Sequence, residues 1–191
     1  MSQRVSGYER RAHDDYPTPR WVTKALVPHL PPEDYRVWEP AAGSGEMVTA
    51  LVECGALVVV PTDIATGHDF LVAPPPTIRG IVTNPPYALA TEFIERALSL
   101  IPANGFVAML LRADFDSAKT RRHLFADCRT FSKKIVLTKR IRWIEGSTGS
   151  PSFNHAWYVW ERAHRGPPKL AYEPSMTAAT AAESSEAEKC T

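Results

Sequence analysis

The 191-residue sequence predicts an α/β fold, a mostly parallel, doubly wound sheet with an antiparallel hairpin at its edge, and three observations carry that expectation. Short apolar runs alternate with stretches of helical periodicity, the order that a parallel sheet with crossover helices requires. One such run, Val37-Trp38-Glu39, passes through Pro40-Ala41-Ala42-Gly43-Ser44-Gly45 into a helix, and Asp63 closes the next run about twenty residues past the glycines. A third run stops at Asn84-Pro85-Pro86-Tyr87. Ligands of open α/β sheets bind outside the carboxyl ends of the strands, so the glycine turn, the acid and the proline loop all point to one edge of the sheet.

Taken in order, Thr18-Pro19 starts a helix expected to run to about Leu30, with Val22, Leu26, Val27 and Leu30 on one stripe and Pro31-Pro32 ending it. After the first strand a helix is expected from Glu46 to Cys54, terminated by Gly55, and then a strand over Leu57 to Val60. Pro74-Pro75-Pro76 marks a stiff connector before the strand Gly80 to Thr83. Phe93, Ile94, Ala97, Leu98 and Ile101 recur at helical spacing, predicting a helix over 91–100, and Pro102 to Gly105 turns the chain into the strand Phe106 to Leu111. Ile135 to Leu137 and Ala156 to Trp160 read as two late strands, antiparallel at the edge. From Arg165 onward Pro, Ala, Ser, Thr and Glu dominate, which predicts one domain over 1–164 and a disordered tail over 165–191.

Composition narrows the function classes. With 44% hydrophobic residues the chain fills one core of ordinary size. No apolar stretch reaches the roughly 18 to 20 residues that cross a membrane, and the charged N-terminus lacks a signal-peptide core, so a cytoplasmic location without membrane contact is expected. Cys54, Cys128 and Cys190 lie far apart without zinc spacing, and the six His form no ligand pattern, so no metal is implied. The net charge of +1 hides an asymmetry. Between 112 and 142, Arg112, Lys119, Arg121, Arg122, Arg129, Lys133, Lys134, Lys139, Arg140 and Arg142 face only Asp114, Asp116 and Asp127. Such a block suits backbone phosphates, although solvated helix faces also collect cations.

The chemistry is sharpest at Asn84 to Tyr87. Paired prolines lack N–H donors and stiffen the loop, leaving oxygens of Asn84 and Pro85 to accept hydrogen bonds from an amino group on an aromatic ring, while Tyr87 offers a stacking face. Taken alone, the tetrapeptide is equally a Pro-Pro turn that ends a strand. Asp69 is placed to accept from a base amino group and Phe70 to flank the ring; as a loop acid and a core residue they are equally ordinary.

Together these residues resemble the amino-directed, S-adenosylmethionine-dependent DNA methyltransferases, specifically the adenine-N6 enzymes of small phage and prophage type, over most of residues 14–161. The resemblance implies a Rossmann-like class I methyltransferase fold. Glu39, Pro40, Ala41, Gly43, Ser44 and Gly45 are similar to the family's cofactor loop, Asp63 with Ile64 to its ribose-binding end of a strand, Asp69-Phe70 to its adenine clamp, and Asn84, Pro85, Pro86 and Tyr87 to its catalytic motif. Tyr16, Thr18 and Pro19, within an N-terminal segment over 1–35, resemble the element that closes on the methionine end of the cofactor. Trp143, in the linker 141–151, falls where the family places aromatic groups beside an extruded base; as a half-buried structural Trp it is equally plausible. The implied cofactor is S-adenosylmethionine and the implied partner is DNA, as a duplex with a flipped base or as a single strand, contacted through Arg112, Lys119, Arg121, Arg122, Lys139, Arg140, Arg142 and Trp143. RNA stays open as a substrate, as do cytosine-N4 as the target atom and monomer or homodimer as the assembly. Two features depart from the family: Ala42 stands where many relatives carry Cys, and no separate target-recognition domain is expected after 161.

Overall fold

The computed structural model describes residues 16–31, 36–56, 58–143 and 153–174. Among the described residues seven strands form one sheet: β1 (Arg36–Glu39), β2 (Val58–Pro61), β3 (Gly80–Thr83), β4 (Phe106–Arg112), β5 (Phe131–Val136), β6 (His155–Glu161) and β7 (Lys169–Tyr172). Their order across the sheet is β2-β1-β3-β4-β6-β5-β7. Pairings among β2, β1, β3 and β4 are parallel, β6 runs antiparallel to both β4 and β5, and β7 pairs parallel with β5. The chain leaves β1 toward opposite sides for β2 and β3, so a crevice opens where the winding reverses.

Helices α1 (Arg20–Leu26) and α2 (Glu46–Glu53) cover one face of the sheet and α3 (Ala90–Leu100) the other. Strand β4 shows why both faces are needed: Phe106, Ala108 and Leu110 pack with Val22, Leu26 and Leu51, while Val107, Met109 and Leu111 pack with Phe93, Ile94 and Ala97. A strand buried on both sides reads as a continuous apolar run, as this one does. The core admits no added atom at Gly80, where a Cβ would lie 2.3 Å from the Phe106 ring.

The structure differs from expectation in three places. Helix α1 stops at Leu26 and gives way to a 310 turn over Val27–His29, because Pro28 has no N–H to continue the helical ladder. Strand β5 starts at Phe131, ahead of the expected Ile135, and ends at Val136, and the chain reaches it from β4 through 310 turns over Phe115–Ser117 and Lys119–Leu124. The expected disordered tail is corrected at its start: Lys169–Tyr172 forms β7, held by β5 and by Ala171 against the α1 face, so the antiparallel pair stands one strand in from the edge. Residues 1–15 of the expected N-terminal segment, 144–152 of the Gly/Ser linker and 175–191 of the tail lie outside the described residues. No described helix is long and apolar enough to cross a membrane.

Candidate active site

Three strand ends build the site. At the end of β1, Glu39 is 1% exposed; its Oε1 accepts from the Ala41 N–H at 3.1 Å, and the buried Thr83 hydroxyl also acts on its carboxyl. Burial pushes this carboxyl up to about 8. The glycine turn that follows is pinned from β2: Ala42 N–H donates to the Thr62 carbonyl at 3.0 Å, and Gly43 N–H donates to Asp63 Oδ2 at 2.9 Å. The other Asp63 oxygen accepts from Ala65 N–H at 2.8 Å, so one carboxylate joins the glycine turn to the loop after β2. Gly45 opens α2 at φ +84°, the left-handed conformation that favours glycine, although a Cβ there would meet nothing. Its constraint is the backbone angle and not a close approach.

At the end of β3, the Asn84 side-chain N–H donates to Thr18 Oγ1 at 3.2 Å, while Asn84 Oδ1 is buried with no partner. Thr18 is itself 5% exposed. The amide therefore directs an N–H at the N-terminal segment and keeps its acceptor unpaired. The loop continues through Pro85, which is buried, and half-buried Pro86 to Tyr87, whose hydroxyl lies 2.9 Å from His155 Nε2.

A cavity of about 670 Å³ joins these strand ends. Of the cofactor residues expected from the sequence, Tyr16, Thr18, Glu39, Pro40, Ala41, Gly43, Ser44, Asp63, Ile64, Asp69, Phe70 and Asn84 line it. Pro19 and Gly45 are not among the lining residues; the one precedes α1 and the other α2. Asp69 Oδ1 is engaged by the Leu71 N–H at 2.9 Å, and Phe70 lines the cavity while its ring packs on Trp38 and Phe93 at 5.0 and 4.7 Å, so it is a core residue and a cavity wall at once. The sequence reading missed Met47, His68, Leu89 and Phe93, which also line the cavity. Phe93 showed only as part of the apolar stripe of α3, and nothing in a stripe says that one member reaches a site.

The size lies in the range of small-ligand sites. The unpaired Asn84 acceptor calls for a donor, and Glu39 and Asp63 bring carboxyl oxygens to the same wall; S-adenosylmethionine carries donors in its ammonium, its ribose hydroxyls and its adenine amino group, so the residues present fit that cofactor.

The basic segment behaves differently from an open block of cations. Arg112 forms two hydrogen bonds with Asp114 at 3.1 and 2.8 Å and lies 4.1 Å from the Phe153 ring centroid. Arg121 donates to the Phe115 carbonyl at 2.7 Å and covers that ring, and Arg122 pairs with Asp127 at 2.9 Å. Lys133 meets Glu161 and Lys134 meets Asp116, each at 2.8 Å, and Arg140 donates to Asn154 at 3.0 Å. Lys119, Lys139 and Arg142 are exposed. Trp143 is half-buried, its ring 5.9 Å from Tyr16 and 5.2 Å from His155, which brings it to the Tyr87 side of the site.

No protein-family model and no curated protein matches this chain. Solved structures do. A candidate class I S-adenosylmethionine-dependent methyltransferase from Listeria monocytogenes overlays with a TM-score of 0.63 at 15% identity, over 93% of this chain and 72% of that one. A candidate RNA methyltransferase from Pyrococcus horikoshii gives 0.60 at 14% identity, over 83% and 92%. The methyltransferase subunit of a type I restriction-modification system from Streptococcus thermophilus gives 0.57 at 16% identity, over 77% of this chain and 45% of that one. The fold is thus the Rossmann-like class I methyltransferase fold, mostly parallel with an antiparallel pair, as the sequence predicts.

Proposed function

We propose that this protein transfers a methyl group from S-adenosylmethionine to the N6 amino group of adenine in DNA. The observation that carries the proposal is Asn84: its amide nitrogen donates to Thr18 and its oxygen is left buried and unpaired beside a cavity that fits the cofactor. An amino nitrogen conjugated with a ring is a weak nucleophile. Acceptors placed in advance at Asn84 and Pro85 draw its N–H bonds out of the ring plane and stabilise the positive charge that grows as it attacks. When bound, S-adenosylmethionine supplies an electrophilic methyl group. Glu39 and Asp63 offer acceptors to it at the ends of β1 and β2, and Tyr16 and Thr18 wall the same cavity from the N-terminal side. Adenine within a duplex is out of reach of these groups, so the substrate is a flipped base or a single strand, with Tyr87 as the stacking face.

The test is nucleoside mass spectrometry after incubation with S-adenosylmethionine and unmethylated DNA or, separately, RNA. We expect N6-methyladenine from DNA alone and its loss in Asn84→Ala, with cofactor binding retained in that variant. N4-methylcytosine would move the target atom, and full activity in Asn84→Ala would sink the site assignment. RNA as substrate is the second reading, favoured by the overlay over nearly the full length of the candidate RNA methyltransferase, and product from RNA alone would select it.

A further inference from the structure

His155 opens β6, opposite Arg112 in the register with β4, and is 2% exposed. It is the one ionisable side chain among six consecutive buried positions, His155 to Trp160, apart from the phenol of Tyr158. An imidazole buried there costs free energy unless it is hydrogen-bonded, and Phe would fill a similar space without that cost. The imidazole's side-chain partner is the Tyr87 hydroxyl, 2.9 Å from Nε2, with the two ring planes 25° apart. Trp143 stands against the same imidazole at 5.2 Å and 82°. Tyr87 belongs to the loop after β3 and Trp143 to the segment after β5, so two aromatic groups distant in sequence meet on one side chain anchored in the sheet.

We propose that His155 is a positioning residue for the target base: it fixes the Tyr87 ring through the hydroxyl and seats Trp143 nearly at right angles to its own ring, which gives the base a floor and a wall beside Asn84. The inference rests on the methyl-transfer reading above. Burial holds the imidazole neutral, the Phe153 backbone is its other polar neighbour, and the Tyr87 hydroxyl can complement Nε2 in either tautomer. Tyr87 also contacts groups other than His155, so the specific claim concerns the hydroxyl bond and its effect on turnover.

Two measurements test it together. In 15N-histidine spectra of the full chain, the ring signals that vanish in His155→Gln belong to His155, and Tyr87→Phe should shift them; unmoved signals would overturn the contact. In methyl transfer to unmethylated DNA, His155→Phe should lower kcat about tenfold, the effect of one lost hydrogen bond, with the cofactor Kd unchanged. Tyr87→Phe should match it and the double variant should fall no further, because both delete one bond. His155→Gln, which restores a polar group near the Nε2 position, should recover part of the loss. Additive losses, or a weakened cofactor Kd in step with kcat, would reduce His155 to a packing residue. A wild-type protein that methylates neither DNA nor RNA would overturn the functional reading and this inference with it, whereas an active wild type beside an equally active His155→Phe would overturn this inference alone.

Discussion

Glu39 and His155 are buried ionisable groups whose costs fall in different pH windows. Burial raises Glu39 to about 8, so between roughly 4.5 and 8 the unfolded chain has released a proton that the folded one keeps, and stability declines as pH rises through that window. His155 is lowered to about 4, chiefly by burial, so its neutral form contributes fully above roughly 6.5 and the contribution is lost as pH falls toward 4. We therefore predict a Glu39→Gln variant that is more stable than wild type near pH 8 by a few kcal/mol and indistinguishable near pH 4, read by urea denaturation across pH. A gain of the same size at pH 4 would contradict the assignment to proton linkage. At Thr18 the expectation is chemical: Thr18→Val removes the partner of the Asn84 amide and should cut turnover about tenfold, equivalent to roughly 1.4 kcal/mol, while Thr18→Ser keeps it. Equal activity in both variants would mean that the amide holds its orientation without Thr18.

Among the elements, β3 and β4 set the tolerance of the core. A Cβ at Gly80 would lie 2.3 to 2.7 Å from three atoms of the Phe106 ring, and Phe106 is fully buried, so Gly80→Ala should destabilise by about 1 to 3 kcal/mol. Gly80→Ala combined with Phe106→Leu should recover part of that loss, and urea midpoints for the single and double variants decide it. Strand β5 shows where periodicity misleads. Only Ile135 to Leu137 read as strand, because Ser132, Lys133 and Lys134 look like surface, yet the strand spans Phe131–Val136. The lysines are accommodated by partners from elsewhere: Lys133 donates to the His29 carbonyl and pairs with Glu161, and Lys134 donates to the Ala113 carbonyl and pairs with Asp116. The strand β7 was hidden for a related reason. Leu170 and Tyr172 are 62% and 58% exposed, so its four residues carry little burial signal, and the unpaired edge of β5 supplies what they lack.

Over the whole molecule, the cation-rich segment leads to a prediction about DNA. Ten cations all meeting phosphates would give a slope of log affinity against log salt of about −9. Arg112, Arg122, Lys133 and Lys134 already pair with carboxylates, so the slope should be shallower than about −6. Fluorescence anisotropy with a labelled duplex between low and moderate salt measures it, and a slope near −9 would mean that these pairs open on DNA. Four parallel strands with helices on both faces, and a reversal of winding beside β1, place the ends of β1, β2 and β3 around one crevice.

The sequence by itself determined the layered α/β fold, the two turns that frame the crevice and most of the cavity wall, because these rest on local rules: alternation of strand and helix, glycine and proline at fixed backbone angles, acids at strand ends. Tertiary structure alone decided what each polar group does. Asp63 ties the glycine turn to the loop after β2 by accepting a backbone hydrogen bond from each, Thr18 turns the Asn84 amide across a separation of 66 residues, and His155 meets Tyr87 across 68. Hydrogen-bond partners so far apart leave no periodic trace in the chain, and whether a cation faces solvent or a carboxylate depends on the packing that brings the two together.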